Sequence, residues 1–118
     1  MKSPAMTSLP VTRIGRLFLS LKRENRKGLI AFLTAGDPSP ARTPALVAAM
    51  VRGGADLIEL GVPFSDPVAD GPVIQRSGER ALKAGTTMAA VLGIARQIRA
   101  TSQVPLLLFT YQIGRAHV

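Results

Sequence analysis

Cysteine and tryptophan are absent from these 118 residues, and histidine occurs once. The first absence removes disulfides, thiolate metal sites and thiol nucleophiles, and it suits a reducing compartment, so a cytoplasmic location is the expectation. The lone histidine, His117, belongs to no Ser/His/Asp or Cys/His arrangement, which makes triad chemistry a poor fit. Long apolar runs are missing too. The densest, Val104 to Phe109, has the length of a buried strand, so no membrane partner is expected. Met1 to Pro10 has no apolar stretch of the kind a secretory leader needs. Acids are scarce: seven against fifteen Lys and Arg, giving a net charge of +8. That excess does not read as nucleic-acid binding. The basic residues are scattered over several helices, and with 4% aromatics there is no interleaving of stacking rings. What remains, 47% hydrophobic residues, suffices for a packed core.

Periodicity sets the order of elements. Ile14, Leu17, Phe18 and Leu21 fall at i, i+3, i+4 and i+7, with Thr12 placed to cap, which predicts a helix over Thr12 to Arg26 that Gly28 ends. A strand-like run follows at Leu29 to Ala35, then turn chemistry at Gly36-Asp-Pro-Ser-Pro40. The next helix carries Leu46, Val47, Met50 and Val51 and stops at Gly53-Gly54, and Asp56 to Leu60 is the second strand. Pro72 suits a first helical position and Gly85 a stop, predicting a helix over Val73 to Ala84; Thr87 can cap another over Met88 to Ala100. Val104 to Tyr111 is the third strand. Helices alternating with strands at these spacings mean parallel strands and an α/β fold.

Two architectures fit that order, an open doubly wound sheet and a (β/α)₈ barrel. No G-x-G-x-x-G or G-x-x-x-x-G-K fingerprint is present, which weakens the first. A barrel typically needs about 250 residues, so three strands make less than half of one and leave the first and third as bare edges.

Three of the seven carboxylates lie in one Gly/Pro-rich stretch, Glu59-Leu-Gly-Val-Pro-Phe-Ser-Asp-Pro-Val-Ala-Asp-Gly-Pro72. A carboxylate at a strand end that opens into a restricted loop is how α/β folds present acids and bases to a ligand. Side chains alternate along strands, so Glu59 shares a face with Leu57, and Phe32, Phe109 and Tyr111 fall on matching faces of their own strands. Together they surround a carboxylate with rings, a partly desolvated setting for proton exchange. Blander readings stand beside this one. Glu59 could be an exposed strand-end residue or the partner of a basic group, Asp70 a helix cap, and Asp66 a turn former before Pro67. The three acids lack regular ligand spacing and a histidine, so no metal site is expected.

The same loop, continued through Val-Ile-Gln75, resembles the signature of the tryptophan synthase α subunit family. Leu29-Ile-Ala-Phe-Leu-Thr-Ala-Gly-Asp-Pro38, Lys83-Ala-Gly-Thr-Thr87 and Pro105 to Tyr111 resemble further family segments, so the resemblance covers roughly residues 12 to 111. It implies the first three strands of a TIM barrel, preceded by a helix and a flexible residue 1–11 terminus. It also implies a lyase of tryptophan biosynthesis, cleaving indole-3-glycerol phosphate to indole and glyceraldehyde 3-phosphate. Glu59 then stands at the acid/base position, and Asp70 at the aspartate that holds the indole N–H. Phe32, Phe109 and Tyr111 would line the indole pocket. Pro63, Phe64, Asp66 and Pro67 would lie in the segment that contacts the β subunit of an α₂β₂ assembly. No cofactor is expected in this chain; pyridoxal phosphate would belong to the β subunit. The family's phosphate site and mobile loop come from later segments, so these residues alone are expected to be inactive, and a half-barrel module that only binds the β subunit is the alternative. Residues 112–118 depart from the family pattern. They can be encoded CAG ATC GGA AGA GCA CAC GTC, the sequence of a sequencing-library adaptor, and are expected to be a translated artefact.

Overall fold

The structure, a computed structural model, describes residues 11–111. Residues 1–10 and the expected artefact at 112–118 lie outside the described residues. Its first helix, α1 (Arg13–Arg23), starts where Thr12 accepts the Gly15 N–H on its hydroxyl at 2.9 Å. The apolar stripe suggests an end at Arg26, but Glu24 is the last capping residue and Asn25 turns the chain at φ 52°. Asparagine tolerates that left-handed conformation, so the helix stops before Gly28 is reached. Gly28 serves packing instead: a Cβ there would sit 2.8 Å from Leu21 Cδ1, so a larger residue would have to displace the end of the buried Leu21 side chain.

Strands β1 (Ile30–Thr34), β2 (Leu57–Gly61) and β3 (Leu106–Phe109) form one parallel sheet in that order. β1 and β3 are shorter than the apolar runs that predict them, and β2 has the expected length shifted by one residue. Between them lie a 3₁₀ turn (Pro40–Arg42) with α2 (Thr43–Arg52), and then α3 (Pro72–Lys83) with α4 (Met88–Thr101). Two prolines that cannot share one first turn are thus divided, Pro40 opening the 3₁₀ turn and Pro44 the α-helix. Thr87 caps α4 by accepting the Ala90 N–H at 3.1 Å, and Gly85 takes φ 86° where α3 must stop.

Register decides what each sheet face does. Ala31, Leu33, Ile58, Leu60 and Leu106 point to the side where α2 and α4 pack, and with Val47, Val91, Ile94 and Ile98 they make the core. Ile58, Leu60 and Val91 are fully buried. Each such side chain stabilises the fold by about 1.5–3 kcal/mol relative to an exposed one. The opposite face carries Phe32, Glu59 and Phe109 and is left largely uncovered, with α3 reaching it through Ser77 at Thr34 and through Ile74.

At the amino ends of the strands, Asp56 clips β1 to β2. Its carboxylate accepts the Leu29 N–H at 2.8 Å and pairs with Arg26 at 3.2 Å. The backbone bond foremost, then Arg26, holds this carboxyl below the ordinary aspartate range against the opposing effect of burial.

Candidate active site

Glu59 sits opposite Phe32 on β1 and Leu107 on β3, so all three emerge on the uncovered face. Phe32 and Phe109 meet edge to face across that surface, centroids 5.9 Å apart at 87°. Gly61 makes their approach possible. A Cβ at that position would stand 2.5 Å from Phe32 Cζ. The result is a cleft of about 290 Å³ lined by Phe32, Glu59, Asp70, Ile74 and Phe109. Apolar walls with two carboxylates are the composition of a site for a flat, mostly apolar ligand carrying a few polar atoms.

Asp70 reaches the cleft from the loop between β2 and α3. It is not the helix cap: Gly71 occupies that position, without any side-chain cap bond. Among the described residues, neither the Glu59 nor the Asp70 carboxylate is in an ion pair. Both are half-buried. The described residues contain no group of three metal-ligating side chains.

Tyr111 stands apart from Glu59. β3 ends at Phe109, so the alternation that aligns Tyr111 with the cleft does not run that far. Its ring stacks on Phe64, centroids 5.0 Å apart at 16°, and its phenol oxygen accepts the Ala69 N–H at 2.9 Å. Tyr111 therefore holds the loop that carries Asp70. Beside this stack Tyr111 borders, with Phe32, Phe64, Asp70 and Phe109, a crevice of about 30 Å³, room for no more than about two waters. Asp66 is exposed at the loop's outer edge.

Two side chains not foreseen as site residues secure the same region. Gln75 donates from its amide to the carbonyls of Pro67 at 3.1 Å and Asp70 at 3.0 Å. Ser77 joins α3 to β1 through a buried 2.6 Å hydrogen bond with Thr34, and since its own proton goes to the Ile74 carbonyl, Thr34 donates. A polar side chain in a helix's first turns, straight after a Pro-rich loop, is a signal that could have marked Gln75.

A parallel sheet with α2 and α4 packed on one face and two carboxylates bordering a cleft on the other is the arrangement expected of the opening segment of a β/α barrel. Comparison with known proteins gives that class a family. The family model described as the tryptophan synthase alpha chain matches residues 18–113, and the chain belongs to that family. It is 80% identical over 101 residues to the tryptophan synthase alpha chain of Solibacter usitatus, covering 86% of this chain and 38% of that one. The alpha chain of Geobacter sulfurreducens is 52% identical with the same coverage. Among solved structures, tryptophan synthase subunit alpha from Legionella pneumophila superposes with a TM-score of 0.84 at 44% identity, covering 86% of this chain and 39% of that one. The chain thus spans under two-fifths of the length of these relatives.

Proposed function

We propose that this segment supplies the acid/base half of a lyase site that cleaves indole-3-glycerol phosphate. In that reaction the bond between indole C3 and the glycerol carbon bearing the hydroxyl breaks. The hydroxyl proton leaves as the aldehyde forms, C3 gains a proton, and the products are indole and glyceraldehyde 3-phosphate. Glu59 serves as the proton carrier, accepting from the hydroxyl and helping deliver to C3. Asp70, ionised, accepts the indole N–H and stabilises the positive charge that appears on the ring once C3 is protonated. Phe32 and Phe109 hold the ring plane, and Tyr111 contributes by fixing the loop around Asp70. The observation that carries this reading is the convergence of Glu59 and Asp70 with two aromatic rings in one cleft.

The loop with Pro63, Phe64, Asp66 and Pro67 is the proposed contact with a tryptophan synthase β subunit in an α₂β₂ assembly, with Val68, 77% exposed, at its apex. Pyridoxal phosphate is assigned to that partner, and the assembly to the cytoplasm. No helix among the described residues is long and apolar enough to cross a membrane.

The test is a chimera in which residues 11–111 replace the matching segment of the Solibacter usitatus alpha chain. Indole release from indole-3-glycerol phosphate, lowered by at least about 10²-fold but still measurable in Glu59→Gln and in Asp70→Asn, supports the proposal. A folded chimera that releases none defeats it.

A further inference from the structure

Gln75 stands in the first turns of α3 with its side chain folded back under the preceding loop. An amide nitrogen has two hydrogens, and here each finds a carbonyl, Pro67 at 3.1 Å and Asp70 at 3.0 Å. Those two carbonyls are the ends of one turn, already closed by the Asp70 N–H on the Pro67 oxygen at 3.1 Å. Gln75 is itself set by its place in the helix, where its backbone N–H bonds to the Gly71 oxygen at 2.9 Å. The chain of support therefore runs from a rigid helix through one carboxamide to the residue whose side chain enters the cleft.

We infer, resting on the function proposed above, that Gln75 is a positioning residue: it holds both ends of the Pro67–Asp70 turn so that the Asp70 carboxylate faces the bound ring. Asp70 has no side-chain partner of its own among the described hydrogen bonds, so its backbone sets its aim. Tyr111 secures the same turn from the other side at Ala69. Tyr111 grips one N–H, whereas Gln75 grips the carbonyl of Asp70 itself.

The experiment uses the chimera with Gln75→Met, which keeps the side chain's length and removes both donors. Since displacing a catalytic group by about 1 Å can cost up to about 10²-fold in rate, kcat is expected to fall at least about tenfold with KM changed less than about threefold. In an Asp70→Asn background the same substitution is expected to cost less than about twofold, because the group it positions is already gone. An equal loss in both backgrounds, or no loss with Asp70 intact, overturns the inference. A second readout does not depend on turnover or on the variant folding. In the unsubstituted chimera the Gln75 side-chain N–H₂ hydrogens should exchange with solvent at least about tenfold more slowly than those of exposed Gln97, as measured by NMR. Equal exchange sinks the positioning role whether or not the chimera makes indole. A protected amide in a chimera without indole release would instead leave the positioning geometry standing and defeat the lyase reading alone.

Discussion

The two faces of the three-stranded sheet are built from alternate residues of the same strands, yet they have opposite uses. Ile58 and Leu60 are sealed under helices with Leu33 packed beside them, while Phe32, Glu59 and Phe109, one residue out of phase, line an accessible cleft. Most of the core lies on one side and the proposed site on the other. A charge on the sealed side would meet only hydrocarbon and cost several kcal/mol; on the open side Glu59 keeps access to water and to a ligand. A single period of two thus lets strongly apolar strands carry an acid without compromising the core.

The division can be broken most directly at Glu59. Glu59→Gln in the chimera should lower indole release by about 10²–10⁴-fold, the range for loss of a general acid/base, while the urea midpoint stays within the error of the parent. A large loss of stability would mean that the open face also supports the fold. Leu60→Ala is the converse. It should cost about 2–5 kcal/mol in urea unfolding, with kcat of the folded fraction near that of the parent. Gly61→Ala sharpens the boundary, because the new methyl would meet the Phe32 ring at 2.5 Å. Overpacking of that kind costs about 1–3 kcal/mol, and displacement of the ring should raise KM more than it lowers kcat. Unchanged steady-state constants would show that Phe32 does not shape the ligand site.

The smallest effect concerns acid stability. Asp56 has a carboxyl pKa lowered by the Leu29 N–H and by Arg26, so its ionised form favours the folded state. That contribution is complete above the ordinary value of 3.8 and is lost as pH falls through the lower folded value. Asp56→Asn should therefore flatten the decline in unfolding free energy between about pH 5 and pH 2. A decline as steep as the parent's would show that other carboxylates set it.

The facing of Glu59 and Phe32 was legible because strand alternation is a local rule, and the helix starts because Thr12, Pro72 and Thr87 are chemically suited to them. Errors arose where a local rule was carried past its element. Counting by twos to Tyr111 ran beyond Phe109, and counting apolar positions along α1 overlooked the left-handed turn at Asn25. The role of Gln75 depends on how the loop over residues 62–71 folds back over a helix, which spacing alone does not encode. Family likeness proposed the acidic pair; the geometry puts Glu59 and Asp70 in one cleft with Phe32 and Phe109, and Tyr111, which anchors the loop, meets the same two rings in the adjoining crevice.

The loop after β2 is tied down by a tyrosine just past β3 and by a glutamine on α3, rather than by the strand it leaves. Consecutive βα units here are consequently not interchangeable parts. A recombination cut placed anywhere between residues 70 and 111 would part the acid-bearing turn from at least one of its two tethers, so shuffling of barrel pieces should preserve this stretch as an indivisible block.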